Sequence, residues 1–326
     1  MKNITIVATG GTIAGVGEIG KSASYQAGEI NIDEIIQSLP AINHIAHLSA
    51  VQYMNVDSNE MSPDRWVQLA NYLNALLLRE DVDGIVVTHG TDTLDETAYF
   101  LNLTLRTYKP VIITGAMRPA TAASADGPMN LYQAVALACH EEAMGHGVMA
   151  VFSDTIYSGR DIQKVNNFKT DAFDKKDFGC LGYMRDDQAY FFARAFKKHT
   201  LQSQFSQQVL TTLPKVGIAY YYAGAGIEVL EALEKDCEGI VIAGSGSGNY
   251  SKEWIEKVND LSLKGIIIVR SSRVGHGIVF ESPVFDEKNY TVPSNTLSPQ
   301  KARVLLMLAL NVTKKVEKIR QIFNVY

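Results

Sequence analysis

A chain of 326 residues with 46% apolar and 20% charged residues can bury a sizeable core, and its length favours two domains of ordinary size over one. The formal net charge of -5 comes without a basic stripe, which argues against nucleic acid as a partner, because backbone binding needs concentrated positive charge. No apolar run approaches the roughly 20 residues that span a bilayer, so no membrane partner is expected.

The first strand-like run is Ile4-Thr5-Ile6-Val7-Ala8, followed by Thr9-Gly10-Gly11-Thr12. Its apolar part is too short for a signal peptide, so a cytoplasmic location is favoured; the periplasm stays open to a processed form in which Met1 replaced a leader. Asn31 is placed to cap a helix over Ile32 to Leu39, and Ser62-Pro63 to start one running to about Leu78. Strand runs recur at Gly84 to Thr88, Pro110 to Thr114 and Val148 to Phe152. A polar stretch at 196–214 reads as a linker between a domain at 1–195 and another at 215–326. Beyond it, Val216 to Tyr222, Gly239 to Ala243 and Gly265 to Val269 resume the strand pattern, and Ser298-Pro299 is placed to cap Gln300 to Leu310. Lys314, Lys315, Lys318 and Arg320 read as one solvated helix face. Cys139, Cys180 and Cys237 match no zinc spacing or disulfide framework and read as buried reduced thiols. Continuous apolar strands alternating with helices give the fold class: two α/β domains, the larger N-terminal one on a mostly parallel sheet and the C-terminal one smaller.

Gly15 to Ser22 satisfies the phosphate-loop pattern GxxxxGK[ST], and Asp154 resembles an acid at the end of a nucleotide-binding strand. The context argues against both. A phosphate loop leaves its strand directly and opens a helix, whereas six residues separate Ala8 from Gly15 and the segment after Ser22 lacks helical periodicity.

In parallel sheets, chemistry gathers where strands end. Thr12 follows a strand and two glycines, although a threonine there also serves as a cap or turn residue. Thr91 and Asp92 set a hydroxyl beside a carboxylate at another strand end; Asp92 suits an ammonium group, or else caps the helix containing Thr97 to Leu101. Lys164 is a base for Thr91 only if its amine is neutral, through burial or adjacent positive charge; otherwise it is a surface residue.

Ala8 to Ala14 and His89-Gly90-Thr91-Asp92-Thr93 resemble the two signatures of bacterial asparaginases. Asp57 to Met61, Thr114 to Pro119, Ser124 to Pro128, Ser271 to Gly275 and Pro299 to Leu306 match further blocks of that family in order, over essentially the whole chain, and point to its high-affinity type II branch. The resemblance implies hydrolysis of L-asparagine to L-aspartate and ammonia through an acyl-enzyme, with lower activity on L-glutamine, and no metal or cofactor. It assigns Thr12 as nucleophile, aligned by Tyr25 on a mobile loop, and Thr91, Asp92 and Lys164 as a second triad. Ser58 would hold the substrate α-carboxylate and Asp92 its α-ammonium, with Gly11, Asn59, Gly90 and the backbone at Ala116 completing the pocket. Asn249 would reach in from a neighbouring subunit of a homotetramer built as a dimer of dimers.

Asn59 stands where many relatives carry Gln or Glu, and Glu281 is the nearest candidate for a neighbour-supplied glutamate. The absent cysteine pair of some periplasmic relatives again favours the cytoplasm. Two other classes compete: a subunit of a tRNA-dependent amidotransferase, which would add an N-terminal domain and a basic surface, and an amino-acid-binding module, which would not need Lys164 or two threonines.

Overall fold

The computed structural model of the chain describes residues 1–22, 25–26, 28–174 and 176–326. It divides into two compact units, Met1–Leu210 and Thr211–Tyr326. Among the described residues, unit 1 is built on an eight-stranded sheet. In chain order its strands are β1 (Lys2–Gly10), β2 (Ala46–Val56), β3 (Gly84–Thr88), β4 (Val111–Thr114), β5 (Val148–Phe152), β6 (Thr155–Ser158), β7 (Gly182–Arg185) and β8 (Gln188–Phe191). Their spatial order is β8-β7-β6-β5-β4-β3-β1-β2. Strands β2, β1, β3, β4 and β5 pair in parallel, and the remaining pairings are antiparallel.

Every residue of β3, β4 and β5 is buried, as expected of parallel strands whose crossovers put helices on both faces. These helices are α1 (Ile32–Gln37), α2 (Pro63–Leu77), α3 (Leu94–Thr104) and α4 (Gly127–Cys139). On one face Ile4, Ile6, Ala8, Val86 and Ile112 share a core with Leu131, Ala134 and Val135 of α4. Two of the expected caps form: Asn31 accepts from the Asp33 N–H at 3.2 Å and Ser62 from the Arg65 N–H at 3.3 Å.

Two parts of this sheet lack a continuous apolar run. Strand β2 lies at the sheet edge and alternates half-buried with exposed residues along much of its length. The antiparallel extension starts at a two-residue turn, Ser153 and Asp154, both left-handed (φ 46° and 63°), as tight hairpins require. Asp154 is thus a turn residue, and it accepts from Gln133 Nε2 at 2.6 Å. Within 196–214, two short turns (Thr200–Gln202 and Gln204–Gln207) bury Phe205 and Ser206 against α3.

Unit 2 carries four parallel strands in sequential order, β9 (Val216–Tyr220), β10 (Gly239–Gly244), β11 (Ile267–Ser272) and β12 (Thr291–Pro293). Its helices are α5 (Glu228–Glu234), α6 (Lys252–Leu263), α7 (Pro299–Leu310) and α8 (Val316–Val325). Ile240, Ile242 and Ile268 face Trp254, Val258 and Leu261 of α6, while Gly239 lies against Leu306 and Leu310 of α7. Among the described residues no helix is long and apolar enough to cross a membrane.

Three expectations need correction. Arg320 does not belong to a solvated face: it is buried, pairs with Glu281 at 2.9 Å and donates to the Thr291 carbonyl at 2.8 Å, because α8 packs on β12. Ser298 precedes α7 but makes no capping bond. Of the three free thiols, Cys180 and Cys237 are buried but Cys139 only half so.

Trp254 is fully buried, donates Nε1–H to the Ala225 and Gly226 carbonyls at 3.0 and 3.1 Å, and meets Tyr221 edge-on. Trp254→Ala should cost about 3–5 kcal/mol in urea denaturation. A loss below about 1 kcal/mol would show that this indole does not anchor unit 2.

Candidate active site

Strands β2, β1, β3 and β4 are consecutive neighbours and run the same way, so their carboxyl ends share one edge of the sheet. Ala8 lies opposite Thr88, Thr88 opposite Thr114, and Gly10 opposite Val56. The segments carrying Thr12, Thr91, Ala116 and Ser58 therefore leave the sheet at one level. The first two touch through glycines. Gly11 has φ 88°, and a Cβ on it would overlap the Gly90 backbone; a Cβ on Gly90 would stand 2.8 Å from Ser58 Oγ. Only glycine at both positions lets the three loops close on one another.

Thr12, Thr91, Ser58 and Ala116 are buried in these loops. Ser58 Oγ accepts from the Asp92 N–H at 3.3 Å, and Thr93 Oγ1 donates to the Ser58 carbonyl at 2.7 Å. Lys164 arrives from far along the chain, in a two-residue antiparallel ladder, Gln163–Lys164 with Phe173–Asp174. Its Nζ donates to Thr91 Oγ1 at 2.9 Å and to Asp92 Oδ1 at 2.5 Å. The Lys164 bond holds the Asp92 carboxyl below its ordinary value against the opposing effect of burial, and Asn59 adds a weaker bond at 3.3 Å. Asn59 also donates to Asp57 Oδ1 at 2.9 Å, so its amide is shared between two carboxylates. Asp92 does not cap α3, since Thr93 occupies that position.

The other named residues lie elsewhere. The Tyr25 backbone pairs with Gly17, and its side chain lies outside the described residues. Among the described residues no α-helix begins between Gly15 and Ile32, so the phosphate-loop pattern has no helix N-terminus to serve it. Asn249 belongs to unit 2, in a tight loop made by backbone bonds of Ser245 and Asn249, with its own side chain exposed. Buried Arg270 braces that loop by donating to the Ser247 carbonyl at 2.7 Å and the Phe280 carbonyl at 2.5 Å. Glu281 is engaged by Arg320 of its own unit.

His89 stands in the second signature without an assigned role, and geometry supplies one. Its Nδ1 lies 2.7 Å from the Gly90 carbonyl, which only accepts, so Nδ1 carries the proton. Nε2 then accepts from Thr97 Oγ1 at 3.0 Å, and Thr97 accepts from Trp66 Nε1 at 2.9 Å. This directional chain fixes the carbonyl that precedes Thr91. Only the paired geometry reveals it, because Trp66, Thr97 and His89 sit on separate elements.

Burial pushes the His89 imidazole down to about 4. An unfolded chain protonates near 6.5, so the folded state binds fewer protons between these values. The His89 contribution to stability is therefore full above pH 6.5 and is lost as pH falls toward 4. The stability gap between wild type and His89→Gln, from urea titrations, should shrink on acidification by up to about 1.4 kcal/mol per pH unit. A gap constant from pH 7 to 4.5 would contradict a buried neutral His89.

Residues 3–197 match the family described as Asparaginase, N-terminal, and residues 215–323 match the Glutaminase/Asparaginase C-terminal domain. The chain is 45% identical to L-asparaginase 2 of Bacillus subtilis (strain 168) over 328 residues, covering 100% of this chain and 87% of that protein. It is 41% identical to the glutaminase-asparaginase of Pseudomonas fluorescens biotype A over 330 residues, covering 100% and 91%. The crystal structure of a probable cytoplasmic L-asparaginase from Campylobacter jejuni superposes with a TM-score of 0.96 at 45% identity, covering 100% of both chains. The two strand-end signatures, the two-unit α/β architecture and a match along the full chain agree, and the protein belongs to the asparaginase/glutaminase family.

Proposed function

We propose that this chain hydrolyses L-asparagine to L-aspartate and ammonia, with L-glutamine as a slower substrate. The observation that carries the reading is Lys164 Nζ at 2.9 Å from Thr91 Oγ1 and 2.5 Å from Asp92 Oδ1, beside a loop that brings in Thr12. A binding module has no use for a lysine against a buried threonine hydroxyl. The L-asparaginase and glutaminase-asparaginase relatives support the same reading at full length.

The Thr12 hydroxyl oxygen attacks the side-chain amide carbon, and its proton passes to the amide nitrogen, which leaves as ammonia. The aspartyl ester on Thr12 is then cleaved by water, which returns a proton to Thr12 and its hydroxyl to the acyl carbon. Tyr25 aligns Thr12. Thr91 and Lys164 lie within proton-transfer distance of each other and serve the same proton movements. Asp92 holds the substrate α-ammonium, and Ser58 with Asn59 its α-carboxylate side. Gly11, Gly90 and Ala116 contribute backbone groups. Glutamine differs by one methylene, a difference worth about 10–200-fold in discrimination, so a residual glutaminase rate is expected. The free thiols and the solved probable cytoplasmic L-asparaginase favour a cytoplasmic location, with the periplasm as the alternative.

Thr12→Val should lower turnover by several orders of magnitude and leave substrate affinity nearly intact, since a nucleophile acts on the barrier. Retention of about a tenth of wild-type turnover would remove Thr12 from the role.

Asn249 is proposed to complete the site of a neighbouring subunit, which makes a dimer the smallest active unit and a dimer of dimers the expected assembly. The exposed side chain and the braced backbone of its loop support this, because the turn does not use the amide. Asn249→Ala should cost about 1–3 kcal/mol in kcat/KM. Mixing it with inactive Thr12→Val chains should restore some activity, each hybrid pair regaining one full site. No recovery after verified subunit exchange would end the shared-site reading.

A further inference from the structure

The third loop of the site, Thr114 to Arg118, is held from behind by the first turn of α4. Asp126 accepts the Met117 N–H at 3.1 and 3.0 Å with its two oxygens, and the Arg118 N–H at 2.9 Å. One turn further on, Asn130 Nδ2 donates to the Gly115 carbonyl at 3.0 Å and to Asp126 Oδ2 at 3.1 Å. The Asn130 oxygen accepts from the Ser153 N–H at 3.3 Å. An aspartate at a helix N-cap ordinarily satisfies the first N–H groups of its own helix. Asp126 stands at the N-cap of α4 and makes no such bond. Its acceptors are spent on the loop instead.

The loop is thereby held against the segments that carry both threonines. A Cβ on Gly127, the first residue of α4, would stand 2.9 Å from Ile13 Cγ1 and 3.2 Å from Ala116 Cβ, so the helix end lies hard against the residue after Thr12 and against the loop. At the other side the His89 N–H donates to the Thr114 carbonyl at 2.8 Å, which ties the loop to the segment carrying Thr91.

We propose that Asp126 and Asn130 are a positioning pair that fixes the Gly115–Arg118 loop relative to Thr12 and Thr91, and so determines how the site discriminates the amide end of its substrate. The proposal rests on the amidohydrolase reading above. Asparagine and glutamine present the same α-ammonium and α-carboxylate and differ by one methylene at the amide end. Anchors at Ser58 and Asp92 treat both alike, so the difference is read at the amide end, where Thr12 attacks, and the loop carrying Ala116 packs through Gly127 beside Ile13, the residue after Thr12. The pair acts through the backbone of that loop.

The test is steady-state kinetics on L-asparagine and L-glutamine for Asp126→Asn, which keeps the shape but turns an N–H₂ toward two N–H donors. The turnover number for asparagine should fall about 10- to 100-fold, as for an active-site displacement near 1 Å, while KM moves less than about 3-fold. The glutamine-to-asparagine ratio of kcat/KM should rise by about 3-fold or more as the loop loosens. Asn130→Ala should move both quantities in the same direction by less, and decides the matter if Asp126→Asn does not fold. Asn102→Ala is the control. Asn102 is buried in the same unit, accepts the Val148 N–H at 2.9 Å and stands apart from the loop, so its loss should lower Tm without changing the ratio. If the two loop variants lower Tm as the control does and leave kcat and the ratio unchanged, the pair is merely structural and the proposal fails. Absence of ammonia from wild-type protein with both amides would instead overturn the amidohydrolase reading, and this inference with it.

Discussion

The contact on which the site depends is between two backbones. Neighbouring strands lie about 4.8 Å apart, and chain segments that leave them diverge unless something lets them stay together. Gly11 and Gly90 leave no room for a side chain between the segments after β1 and β3, and Ser58 fills the space next to Gly90. A single added methyl at Gly11 would push Thr12 away from Thr91, and one at Gly90 would push Thr91 away from Ser58. The remaining parts of the arrangement presuppose that closeness: Lys164 bridging Thr91 and Asp92, Thr93 bonded to the Ser58 carbonyl, and the third loop tied to the second.

The parallel sheet makes such a contact possible. With β2, β1, β3 and β4 running the same way, four strand ends collect on one edge, and their helices occupy the faces without obstructing it. Behind that edge the polar groups are directionally fixed. His89, Thr97 and Trp66 form a chain with a single proton arrangement, and Asp126 and Asn130 hold the opposite wall. The only ion pair among the residues assigned to the site, Lys164 with Asp92, has its carboxylate half exposed. Pairs so open to solvent contribute about 0–1 kcal/mol to stability, so it orients two side chains more than it holds the fold together.

Unit 2 uses charge differently. Arg270 and Arg320 are buried and each gives two hydrogen bonds to carbonyl oxygens, bracing the chain at Ser247, Phe280, Asn289 and Thr291. A guanidinium carries five donors in a rigid fork, which suits it to joining chain segments that have no side chains to pack. The loop that presents Asn249 is shaped in this way.

Much of this was legible in the residues alone. The apolar runs at Ile4 to Ala8, Gly84 to Thr88 and Val148 to Phe152 locate strands buried on both faces, because burial on both faces leaves no charged position. The glycine-threonine segments that follow carry the family resemblance, and Asn31 and Ser62 mark helix starts by chemistry that is complete within three residues. Strand β2 escaped because a half-exposed edge mixes polar and apolar residues, and Arg320 escaped because a charged side chain looks solvated until its partners, 29 and 39 residues away, are known. The same limit applies at the site. Trp66 and Asn130 meet their partners on other segments, and the resemblance, not a local pattern, joined Lys164 to Thr91 across 73 residues. Local pattern reports what one segment buries, whereas hydrogen-bond direction and charge pairing between segments arise only when the sheet brings their ends together. The sequence by itself determined the α/β class, the main buried strands and the family. The tertiary structure alone decided which proton His89 carries and what holds the wall at Ala116, because each is a hydrogen-bond geometry that no local residue pattern carries.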